Sequence, residues 1–533
     1  MKKIFYSTLL AGCALLCSCE NDFDAKIYGV LSTTNFPASQ SDYEAYLMDC
    51  YVPFTINWGY SFGSAWQHNW YVPEGGFYRM FDVTSDEMDP WVIGSWGGEW
   101  TTLCAKNFEA CVNDGRATNS PGINHFEKIR DITRFTKIIG DLQSADASIF
   151  DAGVQDQYIA EARFLRGLMM YYLGQVYGPV PVIVDPELAT DEEATAHLER
   201  PSVDDYARYI TEDFEYAIAH LPEKAAVGRY NADYARVVLM RHYLNEGYHM
   251  DGYYGKAAAL KGQLTGSYSL FPTYKEQFYS ANDGNCESIM AVPCTSSATG
   301  SGTQGNMNCF CFYAFPWDFA HYDDQGNATP AQYISGWGEC FNISKNFYDT
   351  FEKGDTRLEC ILTSYYSSAY GWVTEATLGS QWDGFIINKY PCDVDGGGYQ
   401  SNDVPLARWA DVLLLHAEAL TRSTNSVQAE AVNEINQIRH RAGLADLTAD
   451  KTASVDAFLN AILDESGHET FYEGHRKTDL IRFGQYYKRC SAFGYAPTHE
   501  YFPLPNYAID QAQESGYTLQ QTFTTSNYDG PKN

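Results

Sequence analysis

The sequence has few basic residues. Its 533 residues include 36 lysines and arginines against 68 aspartates and glutamates, which gives a formal net charge of −32 at pH 7. A surface of that charge repels phosphate backbones and anionic lipid headgroups, which argues against nucleic acid as a partner. The acidity indicates no particular ligand, because negative charge most often only keeps a protein soluble.

Long apolar runs are absent after the first residues. Lys2 and Lys3 precede a short apolar run over residues 4–16, which is typical of an export signal spanning residues 1–18 and is too short to cross a bilayer. The run ends in LCSC, which resembles a bacterial lipobox, so we expect Cys19 to be acylated as the first mature residue. The alternative is a conventional signal peptide with incidental cysteines. We therefore expect a chain anchored to a membrane by lipid.

Motifs of the common enzyme classes are missing as well. There is no G-x-S-x-G elbow, no Walker loop and no G-x-G-x-x-G after a strand. His468 and Glu469 begin like a zinc-protease motif, but Tyr472 occupies the position of the second histidine. A carboxylate pair suited to glycoside hydrolysis can always be chosen among 68 acidic residues, so it carries no information. We predict that the protein is not an enzyme.

Support for a metal or a cofactor is weak. Apart from the cysteines of the expected signal and Cys19, Cys309 and Cys311 are the only close cysteine pair, and no second pair or histidine lies at ligand spacing, which argues against a zinc site. Asp393, Asp395 and Gly396 resemble the start of a calcium loop, but the distal glutamate is missing, so a turn is favoured. We predict no metal and no cofactor.

The sequence does contain strong helical periodicity. Apolar residues recur every three or four positions over 161–177, and Gly178-Pro179 is expected to end that helix and leave 180–183 extended. Similar stripes predict further helices, including 126–142, 202–221 with Ser202 as N-cap, 231–244 with Asn231 as N-cap, 406–420 and 427–442. Helix, short turn and helix is the order of a tetratricopeptide-like stack of helical pairs, although no clean 34-residue repeat is present. The predicted fold class is mainly α.

Residues 262–400 have a different composition. They hold 16 of the 43 glycines and few periodic runs, which indicates a loop-rich, irregular subdomain inserted into the helical stack. Ten of the eleven tryptophans fall in two loop-like windows, residues 58–100 and 317–382.

Aromatic residues in loops suggest a binding function. Sugar rings present apolar C–H faces and a rim of hydroxyls, so a carbohydrate binder needs flat aromatic platforms beside Asn, Asp, Gln or Arg. The candidate ligand-binding residues are Trp91, Trp96, Tyr313, Trp317, Trp372 and Trp382. The alternative for each ring is that it only packs its loop.

Five charged residues near the C-terminus form a patterned cluster: Glu469, Glu473, Arg476, Asp479 and Arg482. Their three- and four-residue spacings would let opposite charges meet on a helix. An acid/base centre and a structural ion-pair network are both compatible with this pattern. We favour the ion-pair network, because charges that fix packing are far commoner than catalytic ones.

Several segments of the chain carry motifs that occur together in one known family. They are EARFLRGLMMYYLGQVYGPVPVI at 161–183, the helices at 406–420 and 427–442, the charged box from Glu469 to Arg482, and YFPLP at 501–505. Together they resemble the SusD/RagB family, the outer-membrane nutrient-binding lipoproteins of Bacteroidetes. One departure is Ser466-Gly467-His468, where the family usually has Glu-Arg-Arg.

The resemblance implies a SusD-like α-superhelical fold and a division of the chain. The expected regions are a lipoprotein signal peptide at 1–18, a lipidated tether at 19–31, an N-terminal helical region at 32–261, the loop-rich subdomain at 262–400 and a C-terminal region at 401–533.

The resemblance also implies a function. Family members are lipid-anchored, surface-exposed proteins of the outer membrane that bind oligosaccharides and deliver them to a SusC-like TonB-dependent transporter without catalysis. A peptide ligand, as in RagB-type members, is the first alternative. A glycoside hydrolase is the remoter one.

Overall fold

The computed structural model describes residues 36–56, 69–73, 75–88, 103, 105–108, 125–296, 306–316, 318–319, 341–374, 384–392 and 400–525. The expected export signal with Cys19, and the expected turn at 393–396, lie outside these residues. Across the described ranges, no helix combines the length and the apolar character needed to span a bilayer.

The described chain is mainly α-helical, as predicted. The helices of the first half are α1 (Gln40–Met48), α2 (Phe77–Phe81), α3 (Ile129–Ser144), α4 (Val154–Tyr177), α5 (Glu192–Ala196), α6 (Val203–His220), α7 (Ala232–Glu246) and α8 (Tyr253–Leu260). Those of the second half are α9 (Phe310–Ala314), α10 (Lys345–Tyr348), α11 (Trp409–Thr424), α12 (Ala429–Arg441), α13 (Val455–Thr470), α14 (Arg476–Arg482), α15 (Tyr486–Ala492) and α16 (Asn506–Glu514).

Helix α4 contains the predicted stripe and ends where the sequence predicts. Leu168 and Met169 are fully buried, and the helix stops at Gly178, whose φ is 71°. A Cβ at this position would lie 2.2 Å from the ring of Phe523. Glycine is therefore required both for the left-handed conformation and for the close approach of that ring. Residues 179–184 continue without regular secondary structure.

Successive helices pack against one another. Helix α4 contacts α3 and α6, α6 contacts α7, α7 contacts α8, and α11 contacts α8, α12 and α13. The predicted N-caps are confirmed, since the Ser202 hydroxyl accepts from the Asp205 N–H at 3.1 Å and the Asn231 side chain accepts from the Tyr234 N–H at 2.8 Å. The result is the predicted stack of helical pairs.

Short antiparallel strands follow the helices of the first half. Within the described residues they form three small sheets: β1 (Ser288–Val292) with β7 (Val404–Arg408), β6 (Gly384–Ile387) between β2 (Asn342–Ser344) and β3 (Ile361–Leu362), and β4 (Ser364–Ser367) with β5 (Gly371–Thr374). The sequence predicts helix from residue 406, but residues 404–408 are strand β7 and helix α11 begins at Trp409. The difference arises because β7 pairs with β1, which lies more than a hundred residues earlier.

The loop-rich region shares its core with the helices. One contiguous cluster of buried apolar side chains joins Leu168 of α4, Phe310 of α9, Ile386 of β6 and Leu415 of α11. A second cluster fills the space between α11, α12 and α13. Because the main core crosses the expected boundaries at 262 and 400, the strands are held rigidly against the helical stack.

Candidate ligand-binding site

The structure describes two of the six aromatic candidates. Trp91, Trp96, Trp317 and Trp382 lie outside the described residues. Tyr313 and Trp372 are described, and their surroundings differ completely.

Tyr313 is a core residue. It lies on α9 with 1% of its surface exposed. Its ring centroid is 5.6 Å from that of Phe312 and 6.1 Å from that of Phe341, both in edge-to-face geometry. In this structure a ligand cannot reach the ring, so for Tyr313 the packing alternative explains the residue.

Trp372 lies on the surface, with 39% of the residue exposed. It is on β5 and pairs across the strands with Tyr366 of β4. Because side chains alternate along a strand and paired residues share a face, Tyr366 and Trp372 point the same way, flanked by the pair Ser364 and Thr374. This face therefore combines two aromatic rings with two hydroxyl groups.

The turn between these strands adds another exposed ring. Tyr370 is 63% exposed. The Ser367 hydroxyl accepts from the backbone N–H of Ala369 at 3.0 Å and of Tyr370 at 2.9 Å, which fixes the turn. Gly371 follows with a φ of 76°, a conformation that glycine adopts without strain. We call residues 364–374 the aromatic hairpin.

The opposite face of the aromatic hairpin is anchored in the protein. Tyr365 and Val373 are buried, and the Tyr365 ring stacks on Phe319 with centroids 5.7 Å apart and planes 12° from parallel. The carboxylate of Asp318 accepts from the Tyr365 hydroxyl at 3.2 Å and also from the Ser367 hydroxyl. The Asp318 carbonyl accepts from the Ser368 N–H at 2.8 Å. These contacts hold the exposed rings on a rigid support.

The tryptophan-rich window at 317–382 indicates Trp372 but neither Tyr366 nor Tyr370. A signal was available, since SYYS and GWVT are β-branched or aromatic runs separated by three residues, which is the pattern of a hairpin.

The charged cluster does not lie on one helix. Helix α13 ends at Thr470 and α14 begins at Arg476. Between them Tyr472 and Gly474 have φ of 57° and 80°, which breaks the helical path. The prediction of pairing along one helix is wrong except for Asp479 and Arg482, which meet at 2.8 Å.

The predicted ion-pair network is confirmed, with partners from distant segments. Arg408 contacts Glu469 at 2.9 Å and Glu473 at 2.7 Å, and Lys389 contacts Glu473 at 2.6 Å. Burial alone would raise the pKa of Glu473, but the attraction of Arg408 and Lys389 outweighs it and holds the pKa at about 2. A carboxylate that is buried, paired and ionised at neutral pH has the properties of a structural ion pair.

One group in the described part of the chain has the geometry of a metal site: His416, Glu430 and Glu434. The His416 Nδ1 is 2.8 Å from a Glu434 oxygen. Lys261 pairs with both carboxylates, at 3.2 Å from Glu430 and in direct contact with Glu434. The ammonium group already supplies the positive charge, so we assign no metal to this group.

Two family models match the chain. The model described as "SusD family" matches residues 274–523, and the one described as "Starch-binding associating with outer membrane" matches residues 117–244. Together they cover more than half of the chain.

Known proteins match over similar spans. SusD-like protein P25 of Formosa agariphila is 24% identical over 73% of this chain and 76% of its own length. Starch-binding protein SusD of Bacteroides thetaiotaomicron is 23% identical over 61% of this chain and 64% of its own length.

Solved structures share the fold. A laminarin binding SusD-like protein superposes with a TM-score of 0.68 at 21% identity, covering 91% of this chain and 99% of that one. Surface glycan-binding protein A of Bacteroides thetaiotaomicron, in complex with laminarihexaose, also gives 0.68, at 19% identity over 91% of this chain and 100% of that one.

Proposed function

Because the chain belongs to the SusD/RagB family, we propose that it is a cell-surface glycan-binding protein that delivers oligosaccharides to a SusC-like TonB-dependent transporter. Relatives named for starch or laminarin binding support the ligand class. The single observation that carries the proposal for this chain is the aromatic hairpin, which places the half-buried Tyr366 beside the exposed Trp372.

The chemistry of that surface suits a sugar. Directly opposed side chains on an antiparallel pair have Cβ atoms about 5 Å apart, so two rings form one extended platform. The apolar faces of a pyranose ring can stack on this platform, while Ser364 and Thr374 offer hydroxyls to the sugar's rim. Because Asp318 and Tyr365 fix the support, little conformational entropy is lost when the ligand binds.

We propose that the protein binds its ligand and catalyses no reaction. Acylation at Cys19 would attach it to the outer membrane through the tether at 19–31, with 32–261, 262–400 and 401–533 as its structural regions. In that arrangement the helical stack rests on the transporter and the aromatic hairpin captures the ligand.

Native gel electrophoresis in gels containing laminarin, starch or no polysaccharide tests the proposal. We expect retardation in at least one of the polysaccharide gels and no release of reducing ends on prolonged incubation. Retention of casein-derived peptides with no retardation by any polysaccharide would favour the peptide alternative. Release of reducing ends would make the protein a hydrolase and contradict the proposal.

A further inference from the structure

A concave surface is formed by residues that are far from the aromatic hairpin in the sequence. It is a groove of about 290 Å³ lined by the start of α3, by α5, by α16 and by residues 181–183. Apolar side chains such as Ile129, Ile183 and Leu198 line it together with Tyr507. This volume is close to the lower end of the roughly 300–1,000 Å³ that is typical of ligand pockets.

The segment at 181–183 brings unpaired backbone to this groove. Neither the N–H of Val182 nor that of Ile183 has a hydrogen-bond partner among the described residues, and the Val182 carbonyl has none either. The Ile183 carbonyl accepts from the Thr136 hydroxyl at 2.6 Å, which ties the segment to α3. A segment outside regular secondary structure, with two free N–H donors and one free carbonyl, can pair with the backbone of a second chain.

The groove carries an exposed positive charge, which is unusual for this acidic protein. Arg130 lines the groove, is exposed and has no ion-pair partner among the described residues, in a chain with a net charge of −32. Glu127 also lines the groove, but its side chain is buried and does not pair with Arg130. His197, at the same surface, contacts Glu199 at 2.9 Å and stacks on Tyr517. Arg130 therefore offers a positive charge to an incoming carboxylate.

We infer that this groove binds an extended peptide segment of a partner protein, in which apolar residues flank an aspartate or glutamate. The partner's backbone would pair with Val182, its apolar side chains would contact Ile129 and Leu198, and its carboxylate would meet Arg130. Backbone pairing favours a peptide over a sugar, because a peptide alone supplies N–H and C=O groups at strand spacing. The inference is independent of glycan binding at the aromatic hairpin.

A phage-displayed library of random heptapeptides, selected on the immobilised protein, tests this inference. We expect enrichment of sequences with one acidic residue between apolar residues. Synthetic fluorescent copies should bind in anisotropy titrations, and Arg130→Glu should weaken them at least tenfold. Val182→Pro, which removes the N–H of residue 182, should weaken them similarly. Lys224→Glu, the same change of sign at an exposed position outside the groove, should not.

Several results would overturn the inference. The first two are the absence of enrichment and enriched peptides that bind Arg130→Glu as tightly as the unaltered protein. The other two are displacement of the peptide by polygalacturonate and a dimer in sedimentation velocity that Arg130→Glu dissociates. The last two would assign the groove to an anionic glycan or to a second copy of this chain. If Val182→Pro does not fold, peptides N-methylated at alternate residues test the backbone pairing on the unaltered protein, and equal binding of methylated and unmethylated peptides would contradict it.

Discussion

Arg476 forms a two-point ion pair with Asp86, with Nε 2.7 Å from Oδ1 and Nη2 2.9 Å from Oδ2, although 390 positions separate the two residues. Both are buried. Neighbouring acids support the same loop, since Asp82 accepts from the Gly474 N–H and Glu87 accepts from the Tyr472 N–H, each at 2.7 Å. The acidic segment at 82–87 therefore fixes the break between α13 and α14.

Asp86→Asn should destabilise the whole protein. The substitution leaves the Arg476 guanidinium buried without a negative partner, and breaking a buried pair in this way costs about 3–5 kcal/mol. We expect a fall in the free energy of unfolding of that size, measured by urea denaturation. Arg208→Gln, which removes an exposed arginine from pairs with Asp205 and Glu212, should change it little.

A double variant tests whether the loss comes from this pair. Because Asp86→Asn and Arg476→Gln remove the same interaction, the loss in the double variant should be smaller than the sum of the two single losses. Additive losses would show that Asp86 and Arg476 contribute through other neighbours.

The sequence indicated the charges of this network but not their partners. Spacing alone identified Glu469, Glu473, Arg476, Asp479 and Arg482, and the preference for ion pairs over acid/base chemistry is confirmed. Asp86 could not be assigned as a partner, because contacts across 390 residues leave no periodicity in the sequence. Helix limits were predictable where a cap or a glycine marks them, as at Ser202 and Gly178. Strands of two to five residues were missed, because their pairing depends on distant segments.

His249 links two helices through two carboxylates. Its Nδ1 is 2.8 Å from Asp204 in α6, and its Nε2 is 2.8 Å from Glu246 at the end of α7. Burial alone would lower the pKa of His249, but the hydrogen bonds to Glu246 and Asp204 outweigh it and raise the pKa above 6.5. The stabilisation is therefore fully present below pH 6.5 and is lost as the pH rises through the raised pKa of the folded state.

His249→Gln should therefore lower the melting temperature at pH 6 and have less effect at pH 9. The difference between the two proteins isolates His249, since every other titrating group is common to both. Differential scanning fluorimetry from pH 5.5 to 9 measures it. A difference in melting temperature that stays constant across this pH range would show that protonation of His249 does not contribute to stability.

The sequence does not show which tryptophan side chains are buried and which are exposed. Trp70 and Trp372 both lie in tryptophan-rich windows, yet Trp70 is fully buried and its Nε1–H donates to the Met169 sulfur at 3.2 Å. Trp372 faces solvent. Nothing in the local sequence distinguishes the two, because exposure is decided by the elements that pack over a loop. The resemblance to a family supplied the ligand class, but no motif marks these rings.

Asp318 should matter for binding although it lies on the buried side of the hairpin. Asp318→Ala removes the carboxylate that accepts from the Tyr365 and Ser367 hydroxyls. The loss of such a hydrogen bond at a buried group costs about 1–3 kcal/mol. We expect the hairpin to loosen and the affinity for the retarding polysaccharide to fall severalfold. Asp318→Asn, which keeps an acceptor oxygen, should lose less. Equal loss in both variants would show that the charge, and not the hydrogen bonding, holds the hairpin.

Trp372→Ala should abolish binding of the retarding polysaccharide and spare the fold. The residue is exposed, so its truncation opens no cavity and the melting temperature should stay within a degree or two. Loss of one stacked ring removes half of the platform, and Tyr366→Ala should act in the same direction to a smaller extent because Tyr366 is half-buried. Tyr209→Ala, at a half-buried tyrosine on α6, is the matched control and should bind normally. Isothermal titration with an oligosaccharide of the same polysaccharide measures each affinity. Unchanged affinity of the Trp372→Ala variant would remove the aromatic hairpin from the binding site, even if the protein still proved to bind glycan.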